Sequence, residues 1–539
     1  MRRIAGLLIT FAVSFLAVAS DQECLLQGRV VSIFDRITDT NAIGVGECTL
    51  NMRAWRGERV HAQVVAWSTV ACTAVGFSCS NLESGDGSQI ESARVQARPV
   101  MEVEGVPDRL GDPDEAVIGT NGFLAVWVTV DVPRTVKPGL YRGTFTLRTK
   151  KGMRLDYPIA LRVSNRVLPD KNIFYLDLWQ NASAVARYHR VRPYSKEHYA
   201  LLEPLFRELA AAGQKAVTVP ICISPWGKGY LRDEFLPTVR DVRYSDGRCE
   251  LDFSVFDEYV DFARSCGIGP QIHCYTILKF AHRFTYYYID GETGEERGVT
   301  LDPDTSEWKA FWRPFLVQFE RHVTEKGWLA DTFIAIDEGD PKDQFATRAF
   351  LKEVAPRLKF ATAANKDGRL FKGLDADVYS QILWRDYCSA EFLATVPERK
   401  AKGRITTFYV CTPLQKPNNW FSSPLVETEW IGLYAAAAGF DGFLRWAAFH
   451  WTDDPLTQAT QGDMPAGEVH FLYPNAQAST RWEILRDAIE DYRKIAALRE
   501  EGGLSSALKQ ALKGIDYETL KAEDAEACRK RVESVLSEL

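Results

Sequence analysis

Between residues 169 and 502 the chain repeats one grammar eight times: a short apolar run of strand character, then a helical period. The strand-like runs are Ile173–Leu178, Ala216–Ile223, Pro270–Tyr275, Thr332–Asp337, Lys359–Ala363, Asp377–Leu383, Ile405–Cys411 and Gly442–Trp446. Helical periods between them include His198–Ala212, Phe253–Cys266, Ser306–Glu325, Ala390–Ala401 and Leu425–Ala438. Parallel strands need crossover connections, and eight strand–helix units close into a (β/α)8 barrel of the TIM type. A doubly wound open sheet is the structural rival, but no G-x-G-x-x-G follows the first strand. The expected fold class is α/β: this barrel, preceded by an all-β sandwich and followed by a short helical tail.

The sandwich is expected over residues 21–168. Val60–Trp67, Phe123–Val130, Tyr141–Thr149 and Tyr157–Val163 alternate with period two, turn residues separate them, and long helical periods are absent. A β-sandwich accommodates such a list, and its expected role is to brace the barrel. Val167-Leu-Pro-Asp170 marks the junction. The last barrel helix opens with a capping box of Thr480 and Glu483 and stops at Gly502-Gly503. The tail, 503–539, is helical, with Leu520, Val532, Val535 and Leu536 as its docking stripe. Two stretches exceed ordinary connections, Ser224–Leu251 and Leu278–Pro303, and both follow barrel strands. They belong over the active-site face as lids or cleft walls. Phe284–Tyr288 within the second reads equally as a sugar-contacting loop or as a self-packed hairpin.

Residues 1–20 read as an export signal: Arg2 and Arg3, an apolar stretch from Ile4 to Val18, and a small-residue site at Ala17-Val18-Ala19. The mature chain is expected to begin at Ser20 or Asp21, outside the cytoplasm, in the periplasm or the medium. No later segment is long and apolar enough to span a membrane. Eleven cysteines would then meet an oxidising compartment, with Cys72–Cys79 the easiest bridge to close and buried strand cysteines the expected free thiols. No C-x-x-C pair or His-rich cluster offers a metal site, and no cofactor is called for. The net charge of −7 argues against a nucleic-acid partner. Subunit number is left open.

The chemistry gathers at Thr332-Phe-Ile-Ala-Ile-Asp-Glu-Gly-Asp340, where an apolar strand ends in two adjacent carboxylates. Residues just past a barrel strand's C-terminal end face the active site. Two carboxylates there, in a chain with 14 Trp, 20 Tyr and 29 Phe to offer as sugar platforms, suggest glycoside chemistry. The competing reading is that the pair caps the next helix.

Further residues carry a resemblance. Trp55-Arg-Gly-Glu-Arg-Val60, Pro138-Gly-Leu-Tyr-Arg-Gly143, Leu176-Asp-Leu-Trp-Gln180, Gly439-Phe-Asp-Gly-Phe-Leu-Arg-Trp446 and, most specific, Arg481–Tyr492 make the chain resemble glycoside hydrolase family 123. These are exo-acting β-N-acetylgalactosaminidases, together with related barrel proteins of unassigned function. The resemblance implies a glycan or glycoconjugate substrate and places the family's catalytic pair on Asp337 and Glu338. It implies a retaining, substrate-assisted mechanism: the sugar's 2-acetamido oxygen attacks the anomeric carbon, Asp337 holds the acetamido N–H, and Glu338 protonates the leaving oxygen. The Asp337 carboxylate would push the Glu338 pKa upward. One departure stands out: the family pattern puts proline or Arg-Pro directly after the pair, whereas Gly339-Asp340 precede Pro341 here. The expected substrate-binding residues are Trp179 as a pocket wall, Trp384 at the end of the sixth strand, Trp446 as a platform or else a core residue, Tyr379 or Tyr409 as hydroxyl partner of the acetamido oxygen, and Arg445 and Glu468 either for sugar hydroxyls or, equally, in a structural salt bridge. Asn418 and Asn419 are further candidates. A glycosidase for a different sugar and a non-catalytic carbohydrate-binding barrel are the alternatives.

Overall fold

The computed structural model describes residues 26–39, 47–229, 231–412 and 415–539. The export-signal reading at 1–20 and Cys24 lie outside the described residues.

Two sheets make the N-terminal sandwich. One runs in the order Gln27–Val31, Arg59–Ser68, Gly122–Asp131, Val95–Val103, Val106–Leu110, antiparallel throughout. The other places Leu50–Arg56 beside Arg154–Val167, then Gly139–Thr149 and three short strands, Val75–Cys79, Leu82–Ser84 and Gln89–Ile90. Val64, Val126 and Val128 of the first sheet meet Leu147, Ile159 and Leu161 of the second in the sandwich core. The opposite face of the first sheet is not solvent-exposed. Val100, Leu110 and Trp127 join the barrel's own helix–sheet core, so this sheet is apolar on both faces.

Charged groups lock that contact. Arg481 is fully buried and bidentate to Asp108, at 2.7 and 2.9 Å. Glu483 takes Arg59 at 3.2 Å and also Arg98. Lys494 holds Glu58 and, at 2.7 Å, Asp491. Glu483 therefore does not complete a capping box with Thr480. Ser479 is the cap instead, its side chain accepting from the Trp482 N–H, and Glu483 is drawn to the sandwich arginines.

The barrel strands, numbered within it, are β1 (Tyr175–Leu178), β2 (Ala216–Pro220), β3 (Gln271–Tyr275), β4 (Thr332–Ile336), β5 (Lys359–Ala364), β6 (Val378–Ile382), β7 (Ile405–Tyr409) and β8 (Gly442–Arg445). Each is parallel to its neighbours, and β8 pairs back onto β1. Between β1 and β2 the backbone ladder shrinks to a single bridge, Leu176–Gln214. Two side-chain amides fill the seam. Gln214 accepts from the Leu178 N–H at 3.0 Å and donates to the carbonyls of Leu178 and Ala216 at 3.0 and 2.8 Å. Gln180 accepts from the Thr218 N–H at 2.9 Å and donates to the Leu178 carbonyl.

The two long insertions combine. Arg240–Arg243 and Cys249–Asp252 from the first, with Thr285–Asp290 and Glu296–Thr300 from the second, form one four-stranded sheet. Phe284–Tyr288 belongs to its hairpin. The Tyr286 hydroxyl donates to the Ile277 carbonyl and accepts from Trp308 Nε1, each at 3.0 Å, as a core contact.

Two further expectations are corrected. The helix expected over Ala390–Ala401 is two, Ala390–Leu393 and Val396–Ala401, because Pro397 lacks the N–H a continuous helix needs and opens the second instead. Cys72 and Cys79 are both free thiols, and Cys72 is held by backbone bonds to Ile118. The tail is helical as expected, Ser506–Lys513, Tyr517–Ala522 and Ala525–Glu538; Leu520, Val532 and Val535 of its docking stripe are buried, and Leu536, half-buried, packs against the same core. Among the described residues no helix is long and apolar enough to cross a membrane.

Candidate active site

Strand parity brings Phe333, Ala335 and then Asp337 to the inside of the barrel. By the same parity Glu338 would point away. It does not, because its φ is +39°, a left-handed conformation that costs a non-glycine residue about 1–3 kcal/mol. The chain turns there, and both carboxylates line one pocket. The capping alternative falls to a third acid. Asp340 is the N-cap of the helix Pro341–Val354 and accepts from the Lys342 N–H at 2.9 Å.

Each carboxylate is held from another part of the barrel. Trp226 Nε1 donates to Asp337 Oδ2 at 2.6 Å. Tyr409, at the end of β7, donates to Glu338 Oε1 at 2.5 Å, and Asn365 Nδ2 donates to Oε2 at 2.6 Å. Burial first, then repulsion by Glu338, lifts the Asp337 carboxyl well above the ordinary carboxylate range. Burial raises Glu338 too, against the opposing pull of Tyr409, Asn365 and Lys366.

The walls are aromatic. The rings of Trp179, Trp226 and Tyr275 pack mutually at 4.8–5.5 Å between centroids. Trp446 also lines the pocket and donates its indole Nε1–H to Glu468 Oε1 at 2.9 Å. Glu468 lines the pocket but its oxygens are taken. Oε1 also accepts from the Thr412 N–H at 3.3 Å, and Oε2 accepts from Arg445 at 2.8 Å and from Trp420 Nε1.

Of the residues expected from sequence, Asp337, Glu338, Trp179, Tyr409, Trp446 and Glu468 meet in this pocket. Arg445 does not line it; fully buried, it pairs with Glu468 and donates to the Val410 carbonyl from behind. Tyr379 is on the wrong face. On β6 the barrel interior takes Val378 and Ile382, so Tyr379 points outward, packs on Phe371 and Phe392, and donates to Gln381 at 2.8 Å. Trp384, past β6, packs edge-on against Tyr387 outside the pocket lining. Asn418 and Asn419 are buried in the loop beyond β7; Asn418 accepts from Arg445 and Asn419 donates to Thr428.

Trp226, Asn365, Tyr275 and Phe280 were not anticipated. Asn365 directly follows β5, the position rule that had singled out the carboxylates. Trp226 and Phe280 come from the insertions, where no periodicity marks a pocket residue.

Known proteins match this architecture. The model of the glycoside hydrolase 123 catalytic domain matches residues 179–498, and that of the glycoside hydrolase 123 N-terminal domain matches residues 38–106. Among solved structures, a family 123 glycoside hydrolase from Clostridium perfringens, analysed for glycolipid glycan hydrolysis, superposes with a TM-score of 0.86 at 22% identity, covering 95% of this chain and 96% of that one. A Bacteroides ovatus GH5 xyloglucanase in complex with a XXXG heptasaccharide gives a TM-score of 0.31 at 9% identity, with 86% of this chain and 100% of that one covered. No curated protein matches the chain.

Proposed function

The chain belongs to glycoside hydrolase family 123 and is a glycoside hydrolase, and from this we propose that it removes terminal β-linked N-acetylhexosamine, N-acetylgalactosamine foremost, by a retaining, substrate-assisted mechanism. The observation that carries this reading is the supply of carboxylates. Among the described residues lining the pocket there are three: Asp337, Glu338 and Glu468. A two-carboxylate retaining enzyme sets an enzymic nucleophile about 5–5.5 Å from its acid, across the scissile bond. Asp337 and Glu338 are chain neighbours on one side, and Glu468 is spent on four donors. The nucleophile is then the substrate's own acetamido oxygen.

That oxygen attacks C1 as Glu338 gives its proton to the glycosidic oxygen, and the C1–O bond breaks to leave an oxazolinium ion and a free alcohol. Asp337 accepts a hydrogen bond from the acetamido N–H and stabilises the positive charge growing on the ring being formed. Glu338, now a carboxylate, takes a proton from water, which attacks C1 and reopens the ring with overall retention.

The proton's place follows from the donors. In the free site two donors favour charge on Glu338 and one favours it on Asp337. Bound substrate adds the acetamido N–H to Asp337 and puts an acceptor, the glycosidic oxygen, before Glu338. Binding thus moves the proton onto Glu338, where it is used.

The test is release of 4-nitrophenol from the β-N-acetylgalactosaminide and the β-N-acetylglucosaminide by wild type, Glu338→Gln and Asp337→Asn. Release from the galacto compound, largely lost in both variants, is expected; silence on both sugars would sink the proposal. The export signal at 1–20 is part of it, and N-terminal sequencing of secreted protein is expected to begin at Ser20 or Asp21.

A further inference from the structure

Helices form the outer ring of a barrel of this type, and on one flank that cover is cut short. Between the end of β5 at Ala364 and the start of β6 at Val378 the chain makes a single 3₁₀ turn, Gly368–Phe371, in place of a helix. Two glycines fit it to this course. Gly373, just past the turn, stands at a φ of +89°, and a Cβ on Gly368 would come within 2.5 Å of the Phe392 ring. The next connection is thin as well, with only Ala390–Leu393 and Val396–Ala401. Between the two lies a cavity of about 660 Å³ that shares no lining residue with the catalytic pocket.

Tyr379 belongs to this cavity. It lines it with Phe371 and Phe392, whose ring centroids each lie 5.7 Å from its own. The Arg399 guanidinium sits 5.4 Å from the Tyr379 ring centroid. Arg399 Nε donates to Thr406 Oγ1 at 2.9 Å, and Nη2 to the carbonyls of Ala376 and Ile405, each at 3.1 Å. Nη1 keeps two N–H groups without a partner among the described residues. Nor does Arg399, half-buried, have a carboxylate within ion-pair distance among those residues. Burial first, then the charge of Arg404, lowers its pKa.

Most other charges of the lining cancel. Asp375 holds Arg404 and, at 2.6 Å, Lys352; Glu398 holds Lys402 at 2.6 Å; Arg369 is paired with Asp367. Among the described residues that leaves Arg399 and Lys372 against Glu391, a net positive lining on a chain whose own net charge is −7.

We infer that this cavity is a second binding site and that its ligand is an acidic sugar bearing a carboxylate. The volume falls within the roughly 300–1,000 Å³ of small-molecule sites. Arg399 Nη1 and Lys372 donate to the carboxylate, the aromatic side chains take a C–H face of the ring, and exposed Glu391 accepts from a hydroxyl. Such a site tethers the enzyme to a glycan that carries uronic acid and takes no part in bond cleavage.

The experiment titrates the full chain with glucuronic acid, glucose and sodium sulfate, read by NMR, for wild type, Arg399→Lys and Lys372→Ala. Lys372 is exposed, so Lys372→Ala keeps the fold; Arg399→Lys keeps the charge and loses the fork, and a melting curve checks that it is folded. Glucuronic acid is expected to bind about tenfold more tightly than glucose, and its Kd to rise about tenfold in Arg399→Lys and about threefold in Lys372→Ala. Equal affinity for glucuronic acid and glucose overturns the acidic ligand. Sulfate binding as tightly as glucuronic acid overturns the sugar and leaves an anion site only. No binding, or binding that neither variant weakens, overturns the site itself.

Discussion

The hydroxyl of Tyr409 donates to Glu338 Oε1 at 2.5 Å, so the end of β7 restrains the carboxyl that follows β4. A hydrogen bond to a carboxylate favours its charged form, and losing it raises the pKa. Glu338 is proposed to act as an acid, active while protonated, with activity lost as pH rises through its pKa. In Tyr409→Phe the alkaline limb of kcat/KM should therefore move up by about one unit, while kcat falls by about tenfold. A pH–rate profile of the variant checks both.

Asp337→Asn should move the same limb the other way. The substitution removes the negative neighbour, so Glu338 ionises more readily and activity is lost at lower pH. The acetamido group also loses its anionic partner, and kcat should drop by about 10²–10³. Opposite shifts from Tyr409→Phe and Asp337→Asn in one buffer series would be hard to obtain from general damage. Shifts in the same direction would contradict the roles given to the two residues.

Glu468 acts through Trp446. With all four acceptor positions used, it fixes the edge of that indole and pairs with the charge of Arg445. Glu468→Gln leaves Arg445 buried without its partner, at a cost of about 3 kcal/mol, and lets the Trp446 ring turn. The expected result is a lowered Tm, a changed tryptophan emission and a KM raised more than kcat is reduced. Unchanged emission and KM would mean that Trp446 is held by packing alone.

The contact between sandwich and barrel carries its own pH dependence. Burial raises Glu58 to about 7 and Glu490 to about 8, with Asp487, Asp491 and Lys494 around them. Because these folded-state values lie above the unfolded ones, protons favour the native state, and stability declines as pH rises from the ordinary glutamate range to about 8. Glu483 works oppositely: Arg59, Arg98 and His61 hold its pKa down despite burial, so its contribution is present at neutral pH and lost on acidification. Glu490→Gln should raise the Tm at pH 9 by about 2–4 °C and leave it nearly unchanged at pH 5. A Glu490→Gln variant whose Tm follows the wild-type pH curve would refute this.

The barrel was legible because a parallel strand buried on both faces is a continuous apolar run, and eight of those cannot be hidden. The same continuity conceals which way each side chain faces. Tyr379 and Tyr409 look alike in sequence, yet one points to the helices and the other to Glu338. Asp337 and Glu338 stood out at a strand end, but nothing local announced the positive φ that brings both into one pocket. Trp226 depends on a fold-back of the first insertion, which only tertiary packing decides.

The seam between β1 and β2 has a different kind of consequence. Seven of the barrel's joints are written in backbone, which almost any residue supplies, so substitution there leaves the lacing intact. The eighth keeps one backbone bridge, Leu176–Gln214, and is otherwise written in the amides of Gln180 and Gln214, which belong to two codons. Closure of the barrel thereby depends in large part on the side chains at those two positions. A lineage that drifts at either one loses part of a joint that nothing else in the strand pair can restore.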